Sequence, residues 1–424
     1  MLLENAILEY IKSSQAYKTY LNNSDQVIEC DELDYYPLTE FIKLCADKRG
    51  GRTIVICPTE DEAKALYETL SSVKGYPVIF IPSDGRMLYS EFIEKKVNCN
   101  RKKSEERFIE SKKALAVLSL RSFVSPFLSE KALSSYSFTL SSGDTLDVEK
   151  FSSLLASSGY YRTNEAREEG TFAIKGEVIE VFPLSSEKPY RVYLDWDQIE
   201  RIVSFNSITQ INENSVRRLS VPLMGEEEIQ KSDIISISTL LRDNDYFIIK
   251  SQEKTDASYK ALMNEAQDRE REAYRKNGYM IARDEYLFSW PNFFSSLKKG
   301  VVIHEIMKSE YFHFGVEPSH SYFGNVTFFK DEASTMIKNG WKIFVLAPTV
   351  IQKQRLDSVL QSLDVDISVS DIESGFMLTG SKIAVILDQE IFGRRKKRAK
   401  TLVETVSSPL DSFVSLKPGD YVVH

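Results

Sequence analysis

No glycine in the 424 residues is followed by lysine. A P-loop needs glycines that let backbone N–H groups wrap phosphate, then a lysine for charge and a hydroxyl for Mg²⁺. Its absence excludes the commonest ATP cradle. Cysteines are few: Cys30, Cys45, Cys57 and Cys99, none in CxxC spacing. The four histidines, His304, His313, His320 and His424, lie far from them. Neither a zinc framework nor a disulfide framework is expected, and a reducing, cytoplasmic compartment is. No apolar run approaches membrane-spanning length. The opening MLLENAILEYIKSS lacks a basic leader and carries Glu4 and Glu9 inside its apolar pattern, so it reads as an amphipathic helix and not a signal peptide. An excess of positive charge is also missing. The net charge of -8 argues against a whole-chain nucleic-acid binder and leaves room for a local basic patch.

What is present suits a chain of two to four domains. Residues 26–131 alternate strand-like and helix-like segments, the pattern of a parallel sheet covered by helices. Thr53 to Pro58 reads as a short buried strand, and Thr59 with Glu62 as a capping box. Ala63, Leu66, Tyr67 and Leu70 then recur on one helical face. Val78 to Ile81 and Ala114 to Leu118 are further strands. Strand, Pro-Thr, helix is how the first domain of a nucleic-acid-dependent ATPase is laid out. The turn where its phosphate cradle belongs reads Glu32-Leu33-Asp34-Tyr35-Tyr36-Pro37-Leu38, with no glycine, no lysine and two carboxylates. This domain is therefore expected neither to bind nor to hydrolyse ATP, and no cofactor is expected.

The stretch Gly159 to Gln210 carries the densest strand signal, with β-branched and aromatic residues at alternate positions. It predicts a twisted antiparallel sheet with one wet face. Lys175, Glu177, Arg191 and Tyr193 are expected on that face, beside Asp195 and Trp196. Arg, Trp and Tyr are the residues that dominate protein-binding hot spots. A merely solvated sheet face has the same composition, so both readings stand at this point. A helix over Asp147 to Ser157 precedes the sheet, with Val148, Phe151, Leu154 and Leu155 inward. Further on, Tyr246 to Ile249 is a strand, and Lys254 to Lys276 reads as the solvated face of a long helix. A second small α/β unit follows. In it Thr327-Phe328-Phe329 is an apolar lead-in to a helix over Lys330 to Asn339, and Lys342 to Leu346 and Ser381 to Leu387 are strands. Arg394, Arg395, Lys396, Lys397, Arg398 and Lys400 form a basic run. It is read as a solvated linker, with salt-sensitive binding to nucleic acid or an acidic partner as the alternative.

The same central stretch resembles a known module. Gly159-Tyr160, Arg162, Gly170-Thr171-Phe172-Ala173, Lys175-Gly176, Ile179-Glu180-Val181-Phe182-Pro183, Pro189-Tyr190-Arg191, Asp197-Gln198-Ile199 and Phe205 follow the order of the second domain of bacterial transcription-repair coupling factors (Mfd). The excision-repair protein UvrB shares that module. The departures are Lys175 for the usual Arg, Gln198 for the usual Glu, and Leu194-Asp195-Trp196 where two aromatics and a small residue are commoner. UvrB keeps its P-loop, whereas the first domain of Mfd is a degenerate copy, and Ile391-Phe392-Gly393-Arg394-Arg395 matches the ending of the Mfd third domain.

The resemblance implies a fold: a degenerate RecA/helicase-like parallel-sheet domain with an inserted UvrB-type domain of antiparallel sheet plus helices, then a small α/β third domain. The boundaries it suggests are 1–131 and 218–318 for the two parts of the first domain and 132–217 for the inserted UvrA-binding domain. The third domain takes 319–411, and 412–424 would be a linker and the start of an RNA-polymerase-interacting domain. It implies an adaptor that recruits UvrA to stalled RNA polymerase for nucleotide excision repair. Lys175, Arg191, Leu194, Asp195 and Trp196 are the residues carried over as facing UvrA, with Arg191 on an exposed strand and able to make a bidentate pair. RNA polymerase, the protein's own C-terminal domain, and DNA with ATP and Mg in an ATP-dependent translocase would be reached through further domains. Two other readings are a UvrB-like ATP-dependent repair subunit and an autoinhibitory clamp for the C-terminal domain.

Overall fold

The pentapeptides TIVIC and LAVLS and the tetrapeptide YFII are apolar at nearly every position, and each is fully buried as a strand: Thr53–Cys57, Leu115–Ser119 and Tyr246–Ile249. Strands covered on both faces have no need of a polar alternate residue. In the computed structural model the described residues are 2–22, 25–71, 73–83, 95–135, 137–184, 186–223, 234–278 and 287–393. The buried strands lie in a seven-stranded sheet whose order is Phe312–His313, Val27–Asp31, Gly300–His304, Tyr246–Ile249, Thr53–Cys57, Leu115–Ser119, Val78–Ile81. Every pairing in it is parallel. Thr59 caps the helix Glu60–Leu70 by accepting the Glu62 N–H. One core lies under Phe41, Ile42 and Val55, another around Ile54, Phe108 and Trp290.

The chain leaves this sheet and returns to it. Tyr246–Ile249 follows the inserted domain in sequence yet slots between Gly300–His304 and Thr53–Cys57. A buried ion pair marks the return: Arg52 Nε donates to Asp245 Oδ1 at 3.0 Å, and its Nη1 reaches the Phe108 carbonyl at 2.9 Å. Between departure and return, Ser137–Ser141 pairs antiparallel with Arg218–Pro222 and forms the neck of the insertion. Beyond the neck is a six-stranded sheet in the order Asn212–Val216, Gln198–Phe205, Tyr190–Asp195, Val178–Phe182, Thr171–Lys175, Tyr161–Arg162. Its pairings are antiparallel except the last. The helix Val148–Ser157, capped where Asp147 accepts the Lys150 N–H, buries Phe151 and Leu155 against one face.

The third unit is a five-stranded sheet, Val316–Pro318, Phe376–Leu378, Ile383–Leu387, Lys342–Ala347 and Asp366–Val369 in that order. Phe344, Phe376 and Val385 continue the core of the first domain, and Phe314 meets Phe41 edge to face at 5.5 Å. The expected lead-in at Thr327-Phe328-Phe329 is instead the first turn of the helix Val326–Lys338. The Asn325 side chain accepts the Phe328 N–H there and so starts the helix four residues early. Among the described residues no helix is long and apolar enough to cross a membrane.

Candidate functional site: the outer face of the inserted sheet

Successive residues of a strand point to opposite faces. In the inserted sheet Phe172, Ile179, Val181, Val192, Leu194 and Ile202 therefore face the helix and form the core. Their neighbours Lys175, Glu180, Arg191, Tyr193 and Arg201 face the other way. Register sets them side by side: Arg191 stands opposite Glu180 on one flank and Val203 on the other, and Tyr193 stands opposite Arg201.

The centre of this outer face is Glu180, a carboxylate 2% exposed. Arg191 Nε donates to its Oε1 at 3.0 Å, and Lys175 Nζ donates to its Oε2 at 3.2 Å. The Ala166 N–H adds a third bond at 3.3 Å. A buried charge is tolerated when paired and hydrogen-bonded in this way. Arg191 is committed further. Its Nη1 donates to the Gln210 carbonyl at 2.8 Å and to Asn212 Oδ1 at 2.7 Å, and its Nη2 donates to Gln210 Oε1 at 2.9 Å. The guanidinium also lies over the Phe205 ring, 4.1 Å from its centroid. Phe205 packs with Phe182 and Ala166 in a small core of the outer face. Nearby, Arg201 covers the Tyr193 ring at 4.3 Å, and Asn212 Nδ2 donates to the Tyr193 hydroxyl.

Of the five residues expected to face a partner, the structure brings Lys175 and Arg191 together through Glu180 and leaves the others apart. Leu194 is buried in the core and offers no contact surface, because its position shares the face of Val192. Asp195 and Trp196 are exposed at the turn that joins Tyr190–Asp195 to Gln198–Phe205. Trp196 lies five residues along the chain from Arg191, about 16 Å at the usual rise, so the indole does not shield the guanidinium. Arg191 departs from expectation too. Its side chain is 15% exposed, and four of its five N–H groups already have acceptors. No free fork remains for a bidentate pair. The basic run 394–400 and the stretch 412–424 lie outside the described residues.

Trp196 has φ +61 and is 87% exposed, a left-handed backbone that glycine adopts far more readily. Strained residues of this kind gather at functional sites. Glu180, Gln210 and Asn212 were not singled out from the sequence. The signal for Glu180 was present, an acidic residue at the outer alternate position between Ile179 and Val181. The other two answer to Arg191 only through tertiary structure.

The place of the missing phosphate cradle holds an ion-pair cluster. Lys250, the residue after Tyr246–Ile249, has Nζ 2.8 Å from Glu62 Oε2 and 3.4 Å from Asp34 Oδ1. Burial alone would lower the ammonium pKa, but Asp34 and Glu62 together hold it well above its ordinary value. The lysine at this corner of the sheet is thus neutralised by the protein's own carboxylates.

With this geometry, residues 138–222 match the family described as UvrB interaction domain. That span runs from one strand of the neck to the other. Residues 138–222 form a UvrB interaction domain. Larger parts of the chain are also similar to longer proteins. It is 28% identical over 327 residues to the transcription-repair-coupling factor of Borreliella burgdorferi, covering 66% of this chain and 28% of that one. The Bacillus subtilis protein of that name is 22% identical over 368 residues, 66% of this chain and 31% of the relative. UvrABC system protein B of Thermosipho africanus is 30% identical over 225 residues, 47% of this chain and 33% of the relative. The chain therefore spans 28% to 33% of the length of these curated relatives. Together the matches support the N-terminal region of a transcription-repair-coupling factor, organised around its UvrB interaction domain.

Proposed function

We propose that the UvrB interaction domain of this chain recruits UvrA, and that the chain acts as the adaptor portion of a transcription-coupled nucleotide excision repair factor. The observation that carries this reading is the match of residues 138–222 to an interaction domain whose outer face is built around a buried carboxylate and two cations. Lys175 keeps its side chain 42% exposed on that face, and Trp196 supplies an aromatic anchor at its edge. UvrA would contribute carboxylates opposite Lys175 and an apolar contact for the indole. RNA polymerase and DNA would be engaged by other parts of the full-length protein, which would also carry ATP and Mg in a translocase motor.

We further propose that these 424 residues hydrolyse no ATP. Lys250 is occupied by Asp34 and Glu62, and two carboxylates at that corner would repel triphosphate. This favours the adaptor over a UvrB-like ATP-dependent subunit. The test is a calorimetric titration of the chain with purified UvrA. Saturable binding that weakens with Lys175→Ala and Trp196→Ala supports the adaptor. An absence of binding, or binding indifferent to both changes, places the interface elsewhere.

A further inference from the structure

The six residues after Phe205, Asn206 to Ile211, make a turn on the Arg191 side of the outer face. Ile208 and Ile211 are 82% and 66% exposed there. Single exposed apolar residues are ordinary, but this pair sits on a loop held with unusual care. The Asn206 N–H donates to the Ile211 carbonyl at 3.0 Å and closes it. Asn206 Oδ1 accepts the N–H groups of Ile208 and Thr209 at 3.0 and 2.9 Å. Gln210 has φ +60, and its Nε2 donates to the Ser207 carbonyl at 2.8 Å. Three of the bonds that Arg191 makes end on this segment or the residue after it. Phe205, under the guanidinium, anchors the same hairpin from below.

We infer that Ile208 and Ile211 are apolar anchors for UvrA and that Arg191 is a positioning residue, which holds their loop and does not itself grip the partner. The inference rests on the UvrA-recruiting reading and extends its surface from Lys175 across Arg191 to the loop. A guanidinium with four engaged N–H groups has little left to donate, whereas a preformed loop binds without the entropy cost of ordering. Isoleucines held clear of the protein's own core fit a shallow apolar pocket on the partner. Acceptors at its rim would face Lys175. Continuity with the Lys175–Glu180–Arg191 network is what commits the loop to the same partner.

The experiment uses the full chain, with UvrA titrated calorimetrically and amide hydrogen exchange read over 206–211. If wild type does not bind UvrA, the recruiting reading fails and the inference falls with it. If wild type binds, Ile208→Ser with Ile211→Ser should lower affinity at least tenfold while leaving its salt dependence and the melting temperature alone. Unchanged affinity overturns the inference and leaves the recruiting reading intact. Gln210→Ala alters no charge, and should speed exchange in the loop and weaken binding severalfold. Arg191→Lys should do the same, because one ammonium cannot serve the acceptors that a fork serves. If Arg191→Lys weakens binding without faster loop exchange, and Gln210→Ala binds like wild type, the guanidinium contacts UvrA directly and the positioning role is wrong.

Discussion

Arg191 illustrates how a single side chain can be misjudged from its strand position. As an exposed residue it would accept a charge reversal without loss of folding. Its guanidinium instead neutralises Glu180, which is buried, and braces the 206–211 loop. Arg191→Glu would set two carboxylates together with one of them out of water. We expect it to cost about 3 kcal/mol of stability, the order seen when one partner of a buried pair is removed; urea unfolding at neutral pH measures it. Any loss of UvrA binding by this variant must then be corrected for its unfolded fraction. Trp196 should behave in the opposite sense. Trp196→Gly relieves the left-handed backbone and should leave stability unchanged or raise it by about 1 kcal/mol. Affinity for UvrA should fall, which a melt paired with a titration would reveal.

Among the elements, the strand Tyr246–Ile249 depends on residues almost two hundred positions away. Arg52 and Asp245 are both nearly inaccessible, and their pair joins the return segment to the part of the first domain made before the insertion. Asp245→Ala leaves the Arg52 charge unpaired in the interior, and the expected loss is about 3–5 kcal/mol. The damage should be local to the parallel sheet. Hydrogen exchange should quicken at Val55 and Ile248, while Ile179 and Val192, in the separate core of the inserted sheet, keep their protection. Loss of protection in both cores at once would mean that the two fold as one cooperative unit.

For the whole molecule, the neck settles how the inserted domain can be removed. Ser141 and Arg218 are register partners, so the chain ends are already adjacent where the insertion begins. Replacing residues 142–217 with a two-residue turn should leave the first domain and the third unit folded, since their shared core includes nothing from the insertion. UvrA binding should vanish. A melting curve and a titration check both halves of that expectation. The intact chain should also release no phosphate from ATP above the enzyme-free rate, with or without DNA. Phosphate release that disappears with Lys250→Ala would show a working site at the corner now occupied by the ion pairs.

Much of this was legible in order along the chain. Strand-like and helix-like segments alternating over 26–131 implied a parallel sheet covered by helices, and buried strands such as TIVIC and LAVLS fit it because both their faces are covered. Alternation over Gly159 to Gln210 likewise separated a core face from a wet face, because the side-chain period of a strand is two. The stretch Glu32 to Leu38 holds neither Gly nor Lys, so no P-loop motif can be read there. Local periodicity did not reach contacts made across the sheet. The resemblance places Leu194 toward the partner, yet it shares the parity of Val192 and lies in the core. The resemblance carries Arg191 over to a partner, and the sequence shows its charge but not the acceptors around it. Glu180, Gln210 and Asn212 come to Arg191 from two other strands and a loop, and Asp34, Glu62 and Lys250 meet from three separate segments. Pairing, burial and register are non-local, and they decided which charges remain available to another molecule and which are already satisfied within this one.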